Sequence, residues 1–525
     1  MRHEPAIGRG AKLLSAQCAE SATLLDSLSG ELFPGRDEAM VAHLIAAGFA
    51  DPIGAMRRLR EWRAGLPEVL SNEAERDALE AILPALLAHV GRGGSPDATL
   101  AMLDEIVGRI SVQARLFRSL QTRPSLMASL LDLLASAPSL ARCLATQPRL
   151  VDRMIDSSAY APVPSAAALT VEFDQLARDD GDDLCQRLAH SIARYRFDLG
   201  LQLLEGTADG LAVASAQSDL AEAGLRPLAD RVQARMREVH GVVPEAELVI
   251  LGLGRFGGRS LTHGSDLDLI FLFTGDHRSV SDGRKPLDAN EYFSRLAQQI
   301  SLGLSTMTPS GPLYEVDTRL RPWGAKGLLA CSTDSYRRYL GENACTWEHM
   351  ALTRARPIYG MADARREVGR IVEERLCAPR SREALLRDAA KMRGNIARHK
   401  PPRGNYDVKL IDGGLVDLEF TVQVHQLDRH VGLSPELGHA IRALVAAGLL
   451  EPSMADAHQL LSRMLISLRL VQAHCHEPAP EQRRLLAQAC GFDGWTQLAE
   501  AYRGARDTVG RGWSHLIADV GPLDG

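Results

Sequence analysis

The run Ser265-Asp266-Leu267-Asp268-Leu269-Ile270-Phe271-Leu272-Phe273 restricts the fold more than any other stretch of the 525 residues. From Leu267 onward it is apolar on both faces, as a strand covered by two layers must be. Residues two apart on a strand point to one face. Asp266 and Asp268 therefore project together, while Leu267 and Leu269 enter a core on the opposite side. Just upstream, the apolar run Leu248-Val249-Ile250-Leu251 leads into the turn Gly252-Leu253-Gly254-Arg255-Phe256-Gly257-Gly258. A strand, a glycine-rich turn and a second strand opening on paired carboxylates form the frame for the rest of the chain.

The segments downstream extend that frame. Phe293, Leu296, Ile300 and Leu304 recur at helical spacing and predict a helix from about Asn290 to Met307. Gly311-Pro312 then turns the chain into a predicted third strand, Leu313-Tyr314-Glu315-Val316-Asp317. Trp347-Glu348-His349 opens a predicted helix that carries Arg354 and Arg356. From about residue 361 the pattern is again helical, apart from an extended stretch around Asp407-Val408-Lys409-Leu410. Residues 1 to about 240 read as helix after helix. Leu184, Leu188, Ile192, Tyr195, Leu199 and Leu203 form one apolar stripe. Pro124, Pro138 and Pro148 each stand before a short apolar-periodic stretch, where proline suits a helix's first turn. Gly91-Arg92-Gly93-Gly94-Ser95-Pro96 and Ala161-Pro162-Val163-Pro164-Ser165 are loops, and the spacing is too irregular for a solenoid.

Composition narrows the function classes. A net charge of −6 argues against a general polyanion binder. No basic, aromatic-interleaved track is present, so no nucleic acid is expected as partner. Of the 60 basic residues only six are lysines, so positive charge is mostly guanidinium, suited to forked contacts with phosphates and carboxylates. The eight cysteines show no paired spacing, which predicts reduced thiols. Met1-Arg2-His3-Glu4 begins no apolar signal core, and no stretch approaches the roughly 20 apolar residues of a membrane span. A cytoplasmic protein without a membrane partner is the expectation.

Paired carboxylates beside a glycine turn suit a divalent cation held against phosphates. Mg²⁺ requires hard oxygen ligands, usually carboxylates, waters and substrate phosphates. Two such ions about 3.5–4 Å apart stabilise both the attacking and the leaving oxygen of an in-line displacement. Asp266 and Asp268 are the candidate metal ligands, and Asp317 completes the shell or accepts the nucleophile's proton. Gly254, Arg255, Gly257, Gly258 and Ser265 are candidates for phosphate approach. Arg319 and Arg321 are either ligands for triphosphate or salt bridges that hold the acidic cluster together. Lys409, Asp417 and Glu419, around Gly413-Gly414, either close the nucleotide pocket or belong to a tight turn with an acidic helix start. Trp347 is read as core rather than a base-stacking platform, and His349 as structural rather than a general base. His474-Cys475-His476 is not read as a metal site, because adjacent residues on a helix point apart.

The glycine turn, the Asp-x-Asp strand and the third carboxylate resemble the nucleotidyltransferase superfamily typified by DNA polymerase β. Arg255 departs there from the superfamily's glycine-serine pair and brings charge in place of a hydroxyl. More closely, Gly254 to Gly258, Gly264-Ser265-Asp266-Leu267-Asp268-Leu269, Leu313 to Pro322, Thr346-Trp347-Glu348-His349, Arg354-Ala355-Arg356 and Asp412 to Phe420 resemble the glutamine synthetase adenylyltransferases. The wording is similar to their carboxy-terminal, adenylylating half.

That resemblance implies a mainly α chain with an embedded α/β, polymerase-β-like unit and helical regions on both sides. Its expected divisions are residues 1–95 (helical), 96–240 (helical linker or regulatory), 241–360 (catalytic) and 361–525 (helical). It also implies ATP as substrate and Mg²⁺ or Mn²⁺ as cofactor. The expected reaction is AMP transfer to a tyrosine of glutamine synthetase, with a PII signal protein and glutamine as regulatory partners. Phosphorolytic AMP removal, or ATP-sensing regulation without catalysis, are the alternatives it leaves.

Overall fold

The computed structural model describes residues 37–63, 73–109, 116–178, 183–472 and 475–518. The amino-terminal residues 1–4 and His474 lie outside them. A five-stranded sheet is embedded in helices. It comprises β1 (Leu248–Gly252), β2 (Leu267–Phe273), β3 (Val316–Asp317), β4 (Ala330–Ser332) and β5 (Arg356–Tyr359), in the order β3-β2-β1-β5. β1 runs antiparallel to β2 and β5, whereas β3 and β4 lie parallel to β2, at its beginning and its end respectively.

The two-residue period of the central strands divides their side chains between two cores. Leu248, Ile250, Leu267, Leu269, Phe271 and Phe273 face one layer, built on the helices Gly210–His240 and Ala289–Ser305. Val249, Leu251, Ile270 and Leu272 face the other, built on Thr333–Glu342, Ala362–Leu376 and Leu415–Arg429. Asp268 shares that second face but stands at the open end of the strand, where the hydrophobic layer stops. A third core joins helices remote in sequence: Leu44, Leu83 and Leu130 belong to the same buried cluster as Leu461, Leu470 and Val509. The Gly94 amide donates to Glu481 Oε1 (3.1 Å) and Gln488 Nε2 to the Glu205 carbonyl (2.8 Å) across that junction.

Local sequence explains most helix ends. Asp288 caps Ala289–Ser305 by accepting from the Glu291 amide (3.0 Å). Pro124–Ser136 and Pro138–Thr146 begin on their prolines, while the third such helix, Leu150–Ile155, starts two residues after Pro148. Among the described residues no single helix is long and apolar enough to cross a membrane.

Three expectations need correction. The third strand is only Val316–Asp317, because the Tyr314 amide donates to the Leu304 carbonyl (3.0 Å) and ties that segment to the preceding helix. The helix Thr346–Leu352 stops before Arg354 and Arg356, since β1 recruits Arg356 opposite Gly252. Residues 407–410 form a turn rather than an extended stretch: Asp407 Oδ1 accepts from the Leu410 amide (3.2 Å).

Three histidines make the packing sensitive to acid. Burial pushes His263, His349 and His458 down to about 4 each. Below its ordinary 6.5 the unfolded chain takes up protons first, so the stability of the neutral rings is complete above about pH 6.5 and is lost towards pH 4. Thermal melts are expected to show Tm falling steadily from pH 6.5 to 4.5; a constant Tm over that range would contradict the assignment.

Candidate active site

The parallel pairing of β2 with β3 brings the acidic residues together. Leu267 is in register with Val316 and Asp268 with Asp317, so the two aspartates are side by side on adjacent strands. Asp266, exposed, immediately precedes β2. The electrostatics follow from that proximity. Burial, then the charge of Asp317 and more weakly that of Asp266, push the Asp268 carboxyl up to about 6. Asp317 moves the other way: its hydrogen bonds from Arg319 hold it below the usual carboxylate range.

Arg319 explains the difference. Its Nε lies 3.0 and 2.9 Å from the two Asp317 oxygens, and its backbone amide donates to Oδ1 (2.8 Å). The guanidinium thus occupies the face a cation would need, and among the described residues no three such side chains stand as a ready metal cage. The Arg319 side chain is 82% exposed, so leaving Asp317 for another anion costs it no packing. Arg321 does not face the same way, because the strand ends at Asp317. Its Nη1 donates to the Thr318 carbonyl (2.8 Å) and its Nε to the Gly327 carbonyl (3.3 Å), stapling the loop.

The glycine turn is a short helix, Gly254–Gly257, leading out of β1. Gly254 has φ +55°, and a Cβ there would stand 2.1 Å from Asp268 Oδ2, so the turn passes directly over the carboxylate. Gly257 serves the packing behind the turn instead. A Cβ on it would meet the Arg354 carbonyl at 2.0 Å, and its own amide donates to Leu253 O (2.8 Å). Gly258 likewise donates inward, to Gly254 O (3.1 Å). Ser265 Oγ accepts from the Thr262 amide (3.0 Å) and fixes the entry to β2 rather than presenting a hydroxyl to the cleft.

The candidate residues around Gly413 enter three different surroundings. Lys409 is exposed by area yet crowded, and its pKa is lowered by desolvation and by Arg255, while Glu419 and Asp268 act in the opposite sense. It lies within electrostatic reach of Arg255 and Glu419 as well as of Asp268. Asp417 is buried, ion-paired to Arg393, and accepts the Gly413 amide at Oδ2 (2.7 Å). Glu419 pairs with Arg354 (3.3 Å) in a separate cavity behind the turn, towards which Arg255 also points. Arg255 is pushed down to about 10, first by burial, with Glu419 the strongest opposing charge.

Trp347 is 41% exposed rather than core. His349 is buried and accepts from Arg375 Nε (2.9 Å), a structural role. Arg259, Arg442 and His458, which line the cavity with Arg354, carry no local motif that would have singled them out.

Residues 127–370 match the model of the glutamate-ammonia ligase adenylyltransferase family, and residues 388–517 match a model described as GlnD PII-uridylyltransferase. The bifunctional glutamine synthetase adenylyltransferase/adenylyl-removing enzyme of Brucella melitensis is 34% identical over 488 residues, covering 90% of this chain and 50% of that protein. Its counterpart from Xanthobacter autotrophicus is 36% identical over 486 residues (88% and 48%), and that from Rhizobium meliloti 34% over 519 (96% and 51%). The chain spans about half the length of these curated relatives. The glycine turn and all three aspartates lie within residues 127–370, the part of the chain that matches the glutamate-ammonia ligase adenylyltransferase family.

Proposed function

We propose that this chain transfers AMP from ATP to a tyrosine of glutamine synthetase and releases pyrophosphate. The observation that carries the reading is the register pair Asp268–Asp317, with Asp266 within electrostatic reach. The residues present fit a hard divalent cation. Three carboxylates gather where β2 begins and β3 ends, one of them raised to about 6 by burial and by its acidic neighbours, and a guanidinium rests on another. Asp266, Asp268 and Asp317 would hold Mg²⁺, or Mn²⁺, which when bound neutralises phosphate charge and eases ionisation of the attacking hydroxyl.

A phenol with a pKa near 10 is a weak nucleophile at neutral pH. Asp317, at the end of β3, is the group that accepts its proton. The phenolic oxygen bonds to the α-phosphorus while the bond to the bridging oxygen breaks and leaves with pyrophosphate. Arg319 transfers from Asp317 to that departing charge, and Lys409, within electrostatic reach of Asp268, adds positive charge. Gly254 leaves the space through which the phosphates reach Asp268. The similarity of residues 388–517 to a PII-uridylyltransferase model supports a PII signal protein as regulatory partner, and the family resemblance implies glutamine as effector.

Incubation with α-labelled ATP, Mg²⁺ and unmodified glutamine synthetase is expected to label the synthetase and liberate pyrophosphate in equal amount. A synthetase that stays unlabelled while the chain consumes ATP overturns the substrate. Gly254→Ala combines strain at φ +55° with a methyl group at 2.1 Å from Asp268 Oδ2. Restoring an ordinary contact there moves the carboxylate or the turn by about 1 Å, a misplacement that lowers rates about a hundredfold. The variant's kcat should fall accordingly, and wild-type turnover would remove Gly254 from the phosphate path.

A further inference from the structure

We infer that the cavity behind the glycine turn is a second binding site, shaped for the oxyanion, carboxylate or phosphate, of a small molecule. It encloses about 230 Å³ and is lined by Arg255, Arg259, Arg354 and Arg442 with Glu419 and Glu436. None of Asp266, Asp268, Asp317 and Lys409 lines it. Its far wall comes from the start of the Gly210–His240 helix and from the Ser453–Val471 helix, through Ser215 and Ser462.

The charges inside do not balance. Glu419 is engaged by Arg354 Nη1 (3.3 Å), and Glu436 lies 3.8 Å from Arg259, which also pairs with Asp219 (2.8 Å). Arg255 and Arg442 have no ion pair or side-chain hydrogen bond among the described residues, leaving two guanidiniums in surplus. Arg354 is only 8% exposed, and its Nε is buried without a hydrogen-bond partner. A buried polar group left open in a native fold calls for an explanation, and an incoming acceptor provides one. The fork of a guanidinium matches the paired oxygens of carboxylate and phosphate alike. His458, 8% exposed and neutral at pH 7, adds a hydrogen-bonding group without further charge. Arg255 follows directly on Gly254, so an occupant would touch the turn that crosses Asp268.

The test is calorimetric titration of the full chain, in low-salt buffer, with inorganic phosphate and separately with malonate. At least one is expected to bind saturably; tighter phosphate binding assigns a phosphate-bearing ligand, and tighter malonate binding a carboxylate. Arg442→Gln should weaken that binding on the order of tenfold or more, the loss typical of one charge-assisted contact. Ser462→Leu, which fills space without altering charge, should also weaken it, and Arg319→Ala, whose charge partners are the three aspartates alone, should not. Thermal melts of each variant establish that it is folded. The inference is overturned if neither anion binds, or if binding survives both cavity substitutions; its loss with Arg319→Ala would then locate it in the catalytic cleft.

Discussion

Asp268→Asn is expected to reduce AMP transfer on the order of a thousandfold while making the metal-free protein more stable. The loss follows from removing the carboxylate at the centre of the trio, comparable to deleting a key electrostatic contact in other active sites. The gain follows from linkage. The Asp268 pKa in the fold, about 6, lies above its ordinary 3.8. Its contribution to stability is therefore fully present below pH 3.8 and is lost as the pH rises through 6. At pH 8 the ionised group bears the whole cost of burial and of the neighbouring Asp317. Asparagine removes that charge. After allowance for the side chain's partial exposure, the expected gain is about 1–2 kcal/mol. Melting curves at pH 8 in EDTA should place the variant above the wild type, and Mg²⁺ should narrow the gap by stabilising only the wild type. A variant that melts lower and still transfers AMP would dissolve the proposed trio.

Asp417→Ala is expected to destabilise the fold by about 3 kcal/mol, the lower end for breaking a buried ion pair, because the exposed Asp412 still accepts from Arg393 Nη2 (3.0 Å). The Asp417 and Arg393 side chains are 4% and 8% exposed, too deep for bulk solvent to screen the charge left behind. Asp417 also accepts the amide of Gly413, whose φ of +73° turns the chain into the Leu415–Arg429 helix. Urea titration should show the fall in unfolding free energy, with the KM for ATP unchanged in the folded fraction. Unchanged stability with a raised KM would return Asp417 to the nucleotide pocket, one of the two places the sequence motif allows it.

The contrast between Asp268 and Asp417 indicates how far the sequence can be read. Both belong to acidic pairs two residues apart near glycines. On β2 that spacing has a defined meaning, because alternation on a strand directs both carboxylates to one face. At 417 and 419 the chain is helical, where the same spacing separates side chains, and Asp417 and Glu419 accordingly enter different environments. Likewise, the apolar stripe of residues 293–304 locates the Ala289–Ser305 helix to within two residues. The strand predicted through Tyr314 fails, because the partner of that amide, Leu304, is ten residues away.

Periodic and turn-forming residues thus encode the strands, the helices and the position of the acidic pair, because these depend on neighbours within a few residues. Partner choice depends on contacts across the molecule. Arg319 resting on Asp317, Arg356 drawn into β5, and Glu419 paired with Arg354 were each settled by packing. The cavity shared by Arg255 and Arg442 exists only because helices distant in sequence enclose it, and desolvation and charge become effective at that stage of folding.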